Sequence, residues 1–194
     1  MTSTTQQALP ARRNGVDTAT LFATLDAVKA QPALAQFQFR ATTEWGSGTH
    51  NTTTIQGFHG AGGEQTHQHA FTVEADHPAV LVGEDHAPTP AEHLLQALGA
   101  CLMSGLANIA AARGIDLDGV TAYVEGEIDL RGILGLDDSV RNGFSGITVS
   151  FDVAGDADAV ELARLVDRAV RRSAVYDVIT NGVPVTVSAA GRRS

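Results

Sequence analysis

The stretch His86-Ala-Pro-Thr-Pro-Ala-Glu-His-Leu-Leu-Gln-Ala-Leu-Gly-Ala-Cys101-Leu102 opens a long helix and carries the only cysteine of the chain. Thr89 is an N-cap, Pro90 suits the first helical position, and Glu92 follows the cap by three residues, which makes a capping box. Helical apolar spacing then runs to Arg113, and Gly114 is the stop signal. Leu94, Leu98, Cys101, Gly105 and Ile109 share one face, flanked by Leu95, Leu102 and Leu106. Cys101 therefore sits in an apolar stripe. The plain reading of such a cysteine is a small buried hydrophobe, and the plain reading of Glu92 is a helix cap. A chemical role for Cys101 requires a thiolate. Apolar burial opposes that charge, so a cation or a hydrogen-bond donor must stand nearby. No cation lies within a turn of it on this helix. Glu92, nine residues away, is half a turn round and about 13 Å along. The required group is expected from the β-strands or from a second subunit.

Upstream of this helix the pattern has period two. Phe37, Phe39 and Ala41 alternate with polar residues, Thr52–Ile55 and Phe71–Glu74 are β-prone, and glycines punctuate between them. A meander of about three antiparallel strands is expected. Further upstream, Asp17–Ala30 reads as a short amphipathic helix, and residues 1–15 as a loosely held tail. Downstream, Gly119–Leu130 and Ile147–Val153 read as strands around a Gly- and Asp-rich loop. Asp158–Arg172 reads as a second helix, with basic residues in its last turn. A helical turn near Ala174–Thr180 and a closing strand over Val183–Ala189 complete the chain. The class is α+β with antiparallel sheets, with residues 1–36 as tail and short helix and residues 37–194 as the domain.

Composition narrows the function. The chain has 194 residues, 43% of them hydrophobic, enough for one core. A net charge of -9 argues against nucleic acid or an anionic membrane as partner. One cysteine excludes an intrachain disulfide. No apolar run reads as a membrane span. No basic and apolar leader is visible, so a cytoplasmic protein with a reduced thiol is expected.

All seven histidines fall between His50 and His93. His67 and His69 would share one face of a strand, with Glu74 five residues on, a pattern similar to the metal ligands of a cupin barrel. Exposed strand histidines are the plainer reading, and the long helix conflicts with a small cupin.

The quoted helix resembles the signature of the OsmC/Ohr family: an acidic residue, a Leu-Leu pair, small residues, then a reactive cysteine. Asp129–Phe144 resembles the family's loop after the next strand. Arg172-Ser-Ala-Val-Tyr-Asp-Val-Ile-Thr-Asn-Gly-Val-Pro-Val185 resembles its C-terminal segment. The resemblance covers roughly residues 37–190 and implies an intertwined homodimer, antiparallel sheets wrapped around long central helices. It implies thiol-dependent reduction of organic or lipid hydroperoxides in oxidative-stress defence, with Cys101 as the peroxidatic nucleophile. Glu92 stands at the family's acid. Two departures follow. Ser173 occupies the place of a second, resolving cysteine, and Thr49-His50 stands where many members carry an arginine, with His50 as a pH-dependent substitute. Ser173 and Tyr176 are expected to face the substrate. The implied cycle then uses one cysteine, no bound cofactor, and an external low-molecular-weight or protein thiol as reductant. The alternative is a stress or small-ligand-binding protein with the same fold and little turnover.

Overall fold

The computed structural model describes residues 12–191. Its first element is a two-strand clip, β1 (Arg12–Arg13) and β2 (Val16–Asp17), joined by Asn14-Gly15. Both turn residues have positive φ, 52° and 77°, the geometry of a type I′ hairpin turn that Asn-Gly favours. The clip is fastened across the molecule. Asn14 Nδ2 donates to the Ile115 carbonyl and its Oδ1 accepts from Leu117 N–H, each at 2.9 Å. Arg13 bonds the Gly114 carbonyl and pairs with Asp116 at 3.2 Å. Residues 12–15 are thus anchored rather than loose, a correction to the tail expected there; the rest of that tail, residues 1–11, lies outside the described residues.

Helix α1 (Thr18–Ala30) follows, capped by the Asp17 carboxylate on Thr20 N–H, and ends ahead of Pro32. Then comes an antiparallel sheet. β3 (Gln38–Phe39) and β4 (Thr42–Ser47) lie in succession along one side of β5 (His50–Gly60), and β6 (Gly63–Ala75) lies along the other. In effect this is the three-strand meander, its first strand interrupted once. The sheet projects as an arm and makes no substantial packing contact with the other sheet or the helices. Trp45 and Phe39 on it are 76% and 74% exposed.

At the base of the arm, Asp76 is 1% exposed yet fully engaged. Its Oδ1 accepts from Thr49 Oγ1 at 2.5 Å, and its Oδ2 accepts from the backbone N–H groups of His86 and Glu84 at 3.1 and 3.2 Å. The Thr49 hydroxyl foremost, then the backbone donors, hold this carboxyl well below its ordinary value of 3.8 despite burial. It ties the loop from 77 to 88 back to the arm. A depressed carboxyl contributes stability in full above its unfolded pKa and loses it as pH falls through the folded value. Asp76→Asn is therefore expected to lower the urea midpoint at pH 7. The gap from wild type should narrow once the pH drops below 3.8. A gap that stays constant between pH 7 and pH 2.5 would contradict this role.

The body is built on α2 (Pro90–Arg113), with the capping box of Thr89 and Glu92 in place and Gly114 in the left-handed conformation at its end. β7 (Leu117–Glu127) and β8 (Gly146–Gly155) pair antiparallel along their length, with the short α3 (Leu130–Ile133) in the loop between. β8 alternates exposed and half-buried residues, as a strand with one packed face must. α4 (Ala159–Arg171) crosses α2, and Leu106, Ile109, Ala110, Ile115, Leu165 and Ala169 form the core between them, lined by Phe151 and Val153 from β8. By length and composition α2 is long and apolar enough to cross a bilayer, contrary to the sequence reading. Here one face packs against α4 and β7. α5 (Ala174–Asn181) follows α4 after two residues.

The expected closing strand over Val183–Ala189 is absent from the described residues; this segment has no regular structure and pairs with no strand. Its alternating valines prompted the expectation, and Val185 and Val187 stand 79% and 88% exposed. A strand needs an edge to pair with, and the chain alone leaves none beside it. The mixed α+β architecture with antiparallel sheets is as expected.

Candidate functional site around Cys101

Three elements meet at the cysteine. α2 positions Cys101 in mid-helix, half-buried. α4 ends at Arg171, and the chain turns so that α5 begins at the sulfur. Ser173 caps α5: its Oγ accepts from Tyr176 N–H at 3.1 Å. The same Oγ donates to Cys101 Sγ at 3.1 Å, a normal length for a bond to sulfur. Ser173 is itself buried.

Burial works to raise the Cys101 thiol, but the Ser173 hydroxyl and the backbone N–H groups of Val175 and Ala174 work the other way. The balance lies below the ordinary value of 9.0. The geometric cause is the Ser173 hydroxyl on the sulfur; the first N–H groups of α5, which have no partner within the helix and carry partial positive charge, add to it. The sulfur is therefore not sealed in hydrocarbon. One donor comes from the cap of α5 in the same chain, a source that the sequence reading, which looked to the β-strands or a second subunit, did not include.

Tyr176, one turn into α5, lines a cavity of about 520 Å3 together with Leu94, Leu98, Arg141, Phe144 and Ile147. Leu94 and Leu98 occupy the same face of α2 as Cys101, two turns and one turn before it. The cavity is within the usual range for small-molecule sites, with apolar walls and a guanidinium.

The other candidates lie elsewhere in the chain. Glu92 spends its Oε2 on Thr89 N–H at 2.7 Å and Thr89 Oγ1 at 2.9 Å. Its carboxyl is lowered by those same bonds, the Thr89 backbone N–H first. It holds the helix end and does not reach the cysteine. His50 begins β5, with Nε2 3.7 Å from Glu74 Oε1 and its ring 5.5 Å from the His86 ring. It belongs to the arm and makes no hydrogen bond or ion pair with Cys101. His67 and His69 pack against Phe71, with ring centroids 5.2 and 4.7 Å away. Among the described residues no group of three or more His, Cys, Asp or Glu is arranged to hold a metal. The sheets do not close into a barrel either, so the cupin-like reading fails.

Ala174 and Val175 were not legible as site residues, because they act through backbone N–H. Ser173 was read for the thiol it lacks, although a serine just before a short apolar helix is a cap signal in its own right.

The family model described as OsmC-like protein matches residues 83–188, more than half of the chain and the whole of α2, the cysteine and α5. The chain belongs to this family. Solved structures of OsmC-like proteins share its fold. One from Vibrio cholerae is 14% identical with a TM-score of 0.54, covering 74% of this chain and 94% of that one. One from Mycoplasma pneumoniae is 16% identical with a TM-score of 0.53, covering 73% and 86%. An organic hydroperoxide resistance protein OsmC from Legionella pneumophila is 19% identical with a TM-score of 0.53, covering 76% and 93%. No curated protein matches the chain.

The OsmC-like site makes a direct expectation for Ser173. Ser173→Ala removes one donor from the thiolate, and a hydrogen bond to a charged group is worth about 1.5–3 kcal/mol. Alkylation of Cys101 by iodoacetamide at pH 7 should slow about tenfold. The rate should recover at high pH, where every thiol is ionised. An unchanged pH profile would show that the hydroxyl does not tune the sulfur.

Proposed function

We propose that this OsmC-like chain is a one-cysteine thiol peroxidase that reduces organic or lipid hydroperoxides in oxidative-stress defence. The observation that carries the reading is the Ser173 hydroxyl, 3.1 Å from Cys101 Sγ at the start of α5. The thiolate attacks the distal peroxide oxygen. The O–O bond breaks, its electron pair leaves on the alkoxide, which takes a proton from water and departs as alcohol, and Cys101 becomes a sulfenic acid. A thiol then displaces water from the sulfenic sulfur to give a mixed disulfide, and a second thiol releases Cys101. Two electrons thus pass from two external thiols, low-molecular-weight or protein, to one hydroperoxide. This chemistry needs no bound cofactor and suits a reducing cytoplasm.

Ser173, bonded to the sulfur, and Tyr176 serve as the substrate-facing groups, and the cavity that Tyr176 and Leu98 line would take the alkyl part of the peroxide. Glu92 and His50 could assist only across an interface between copies, since each is committed elsewhere in its own chain. A homodimer fits the open arm and the unpaired valines near the C-terminus. The test is intact mass after one equivalent of cumene hydroperoxide with dimedone present. The expected result is a single adduct on Cys101. A folded protein that takes none would overturn the reading.

A second reading, an OsmC-like small-ligand binder with little turnover, draws support from the lone cysteine and from the absence of any described Arg contact to it. Adduct formation without sustained thiol-dependent consumption would favour it.

A further inference from the structure

At the far end of α2 from its cap, the helix forms a second cleft with α1 and α4, about 260 Å3 in volume. Its walls mix two kinds of group. Leu21 and Leu25 from α1 and Ile109 from α2 form an apolar side, while Arg113, Arg168 and Arg172 form the other. No carboxylate lines it, in a chain whose net charge is -9. Arg113 is paired with Glu161 at 3.0 Å. Arg168 and Arg172 form no ion pair among the described residues. Moreover, Arg168 Nη1 is buried and has no hydrogen-bond partner. Buried guanidinium nitrogens are ordinarily satisfied, because leaving one bare forfeits its hydration for nothing. Basic residues in the last turn of α4 complement the helix dipole. That accounts for charge on the helix end but not for a nitrogen that is out of water and unpaired. The missing partner is an acceptor.

We infer that this cleft is a binding site for a small amphiphilic carboxylate, an anionic head on a short alkyl or aryl body. The head would supply the acceptor for Arg168, with Arg172 beside it, in the planar two-oxygen geometry that guanidinium favours. The body would lie against Leu21, Leu25 and Ile109. The volume, just under the usual range of ligand cavities of about 300–1,000 Å3, sets the size to a short chain. α1 precedes the residues matched by the family model, so the site is formed by an element outside that match. It is separate from Cys101 and does not rest on the peroxidase reading.

The experiment is isothermal titration of the full chain with octanoate, inorganic phosphate and 1-octanol. Octanoate should bind. Phosphate, which lacks the body, and octanol, which lacks the charge, should each bind at least about tenfold more weakly. Arg168→Gln should raise the octanoate Kd about tenfold or more. Leu25→Asp, a half-exposed change on α1, should abolish binding while the circular dichroism melt is kept. Cys101→Ser should bind as wild type does, which separates this site from the peroxidase one. No heat with octanoate overturns the inference, as does equal binding of phosphate or octanol. Binding that survives both cleft substitutions overturns it too. A change of oligomeric state in Arg168→Gln would mean that a second copy supplies the acceptor, and would also overturn it.

Discussion

Cys101→Ser is expected to reduce hydroperoxide consumption to the rate of the reducing thiol alone, while the fold and melting temperature remain close to wild type. Serine is smaller than cysteine by little, and Cys101 is only half-buried, so the packing cost is small. The chemical cost is total. A hydroxyl at that position would still meet the Ser173 hydroxyl and the α5 amides, but those donors cannot ionise an alcohol whose pKa lies far above any working pH. The same donors that lower a thiol leave serine inert. The assay is peroxide consumption with a dithiol reductant, paired with a thermal melt. Turnover that persists in the variant would place the chemistry elsewhere and refute Cys101 as nucleophile. A melt that collapses would instead mean the sulfur is core.

The donor to the thiol comes from far along the chain, which is why it escaped the sequence. Ser173 and Cys101 are 72 residues apart, and nothing in a helical stripe says which helix end will be aimed at it. The stripe itself was legible: Thr89, Pro90 and Glu92 at one end and Gly114 at the other fix α2 by nearest-neighbour chemistry. The same holds for α4 and for the meander, whose β-prone runs fall on β3, β5 and β6. Expectation failed where pairing is non-local. Val183–Ala189 has the alternation of a strand and no edge to join. Residues 12–15 looked like tail by composition, although Asn14-Gly15 is a strong hairpin signal. Their fastening to Gly114 and Ile115 depends on a contact about a hundred residues away. The histidines misled in the opposite sense. Their clustering in sequence suggested chemistry, but the fold spreads them over the arm, the loop after it and the start of α2, and packs two of them on Phe71.

The apolar stripe of α2, with its flanking residues, should divide in function along its length, and two leucines separate the halves. Leu106 is fully buried in the core with Ile109, Leu165 and Ala169. Leu106→Ala is expected to cost about 2–5 kcal/mol, and with about 2–4 °C per kcal/mol for a chain of this size, to lower Tm by about 4–20 °C. Leu94 lies on the other side of the cysteine, lines the cavity next to Tyr176, and is 39% exposed. Leu94→Ala should shift Tm by no more than a few degrees, since an already hydrated side chain has less transfer free energy to lose. Its effect should instead fall on KM for an alkyl hydroperoxide, which should rise, with kcat little changed, because the wall contacts the alkyl body and not the sulfur. If Leu94→Ala destabilises the protein as much as Leu106→Ala does, the apolar stripe is core throughout. The sulfur would then have no accessible cavity beside it for a substrate to enter.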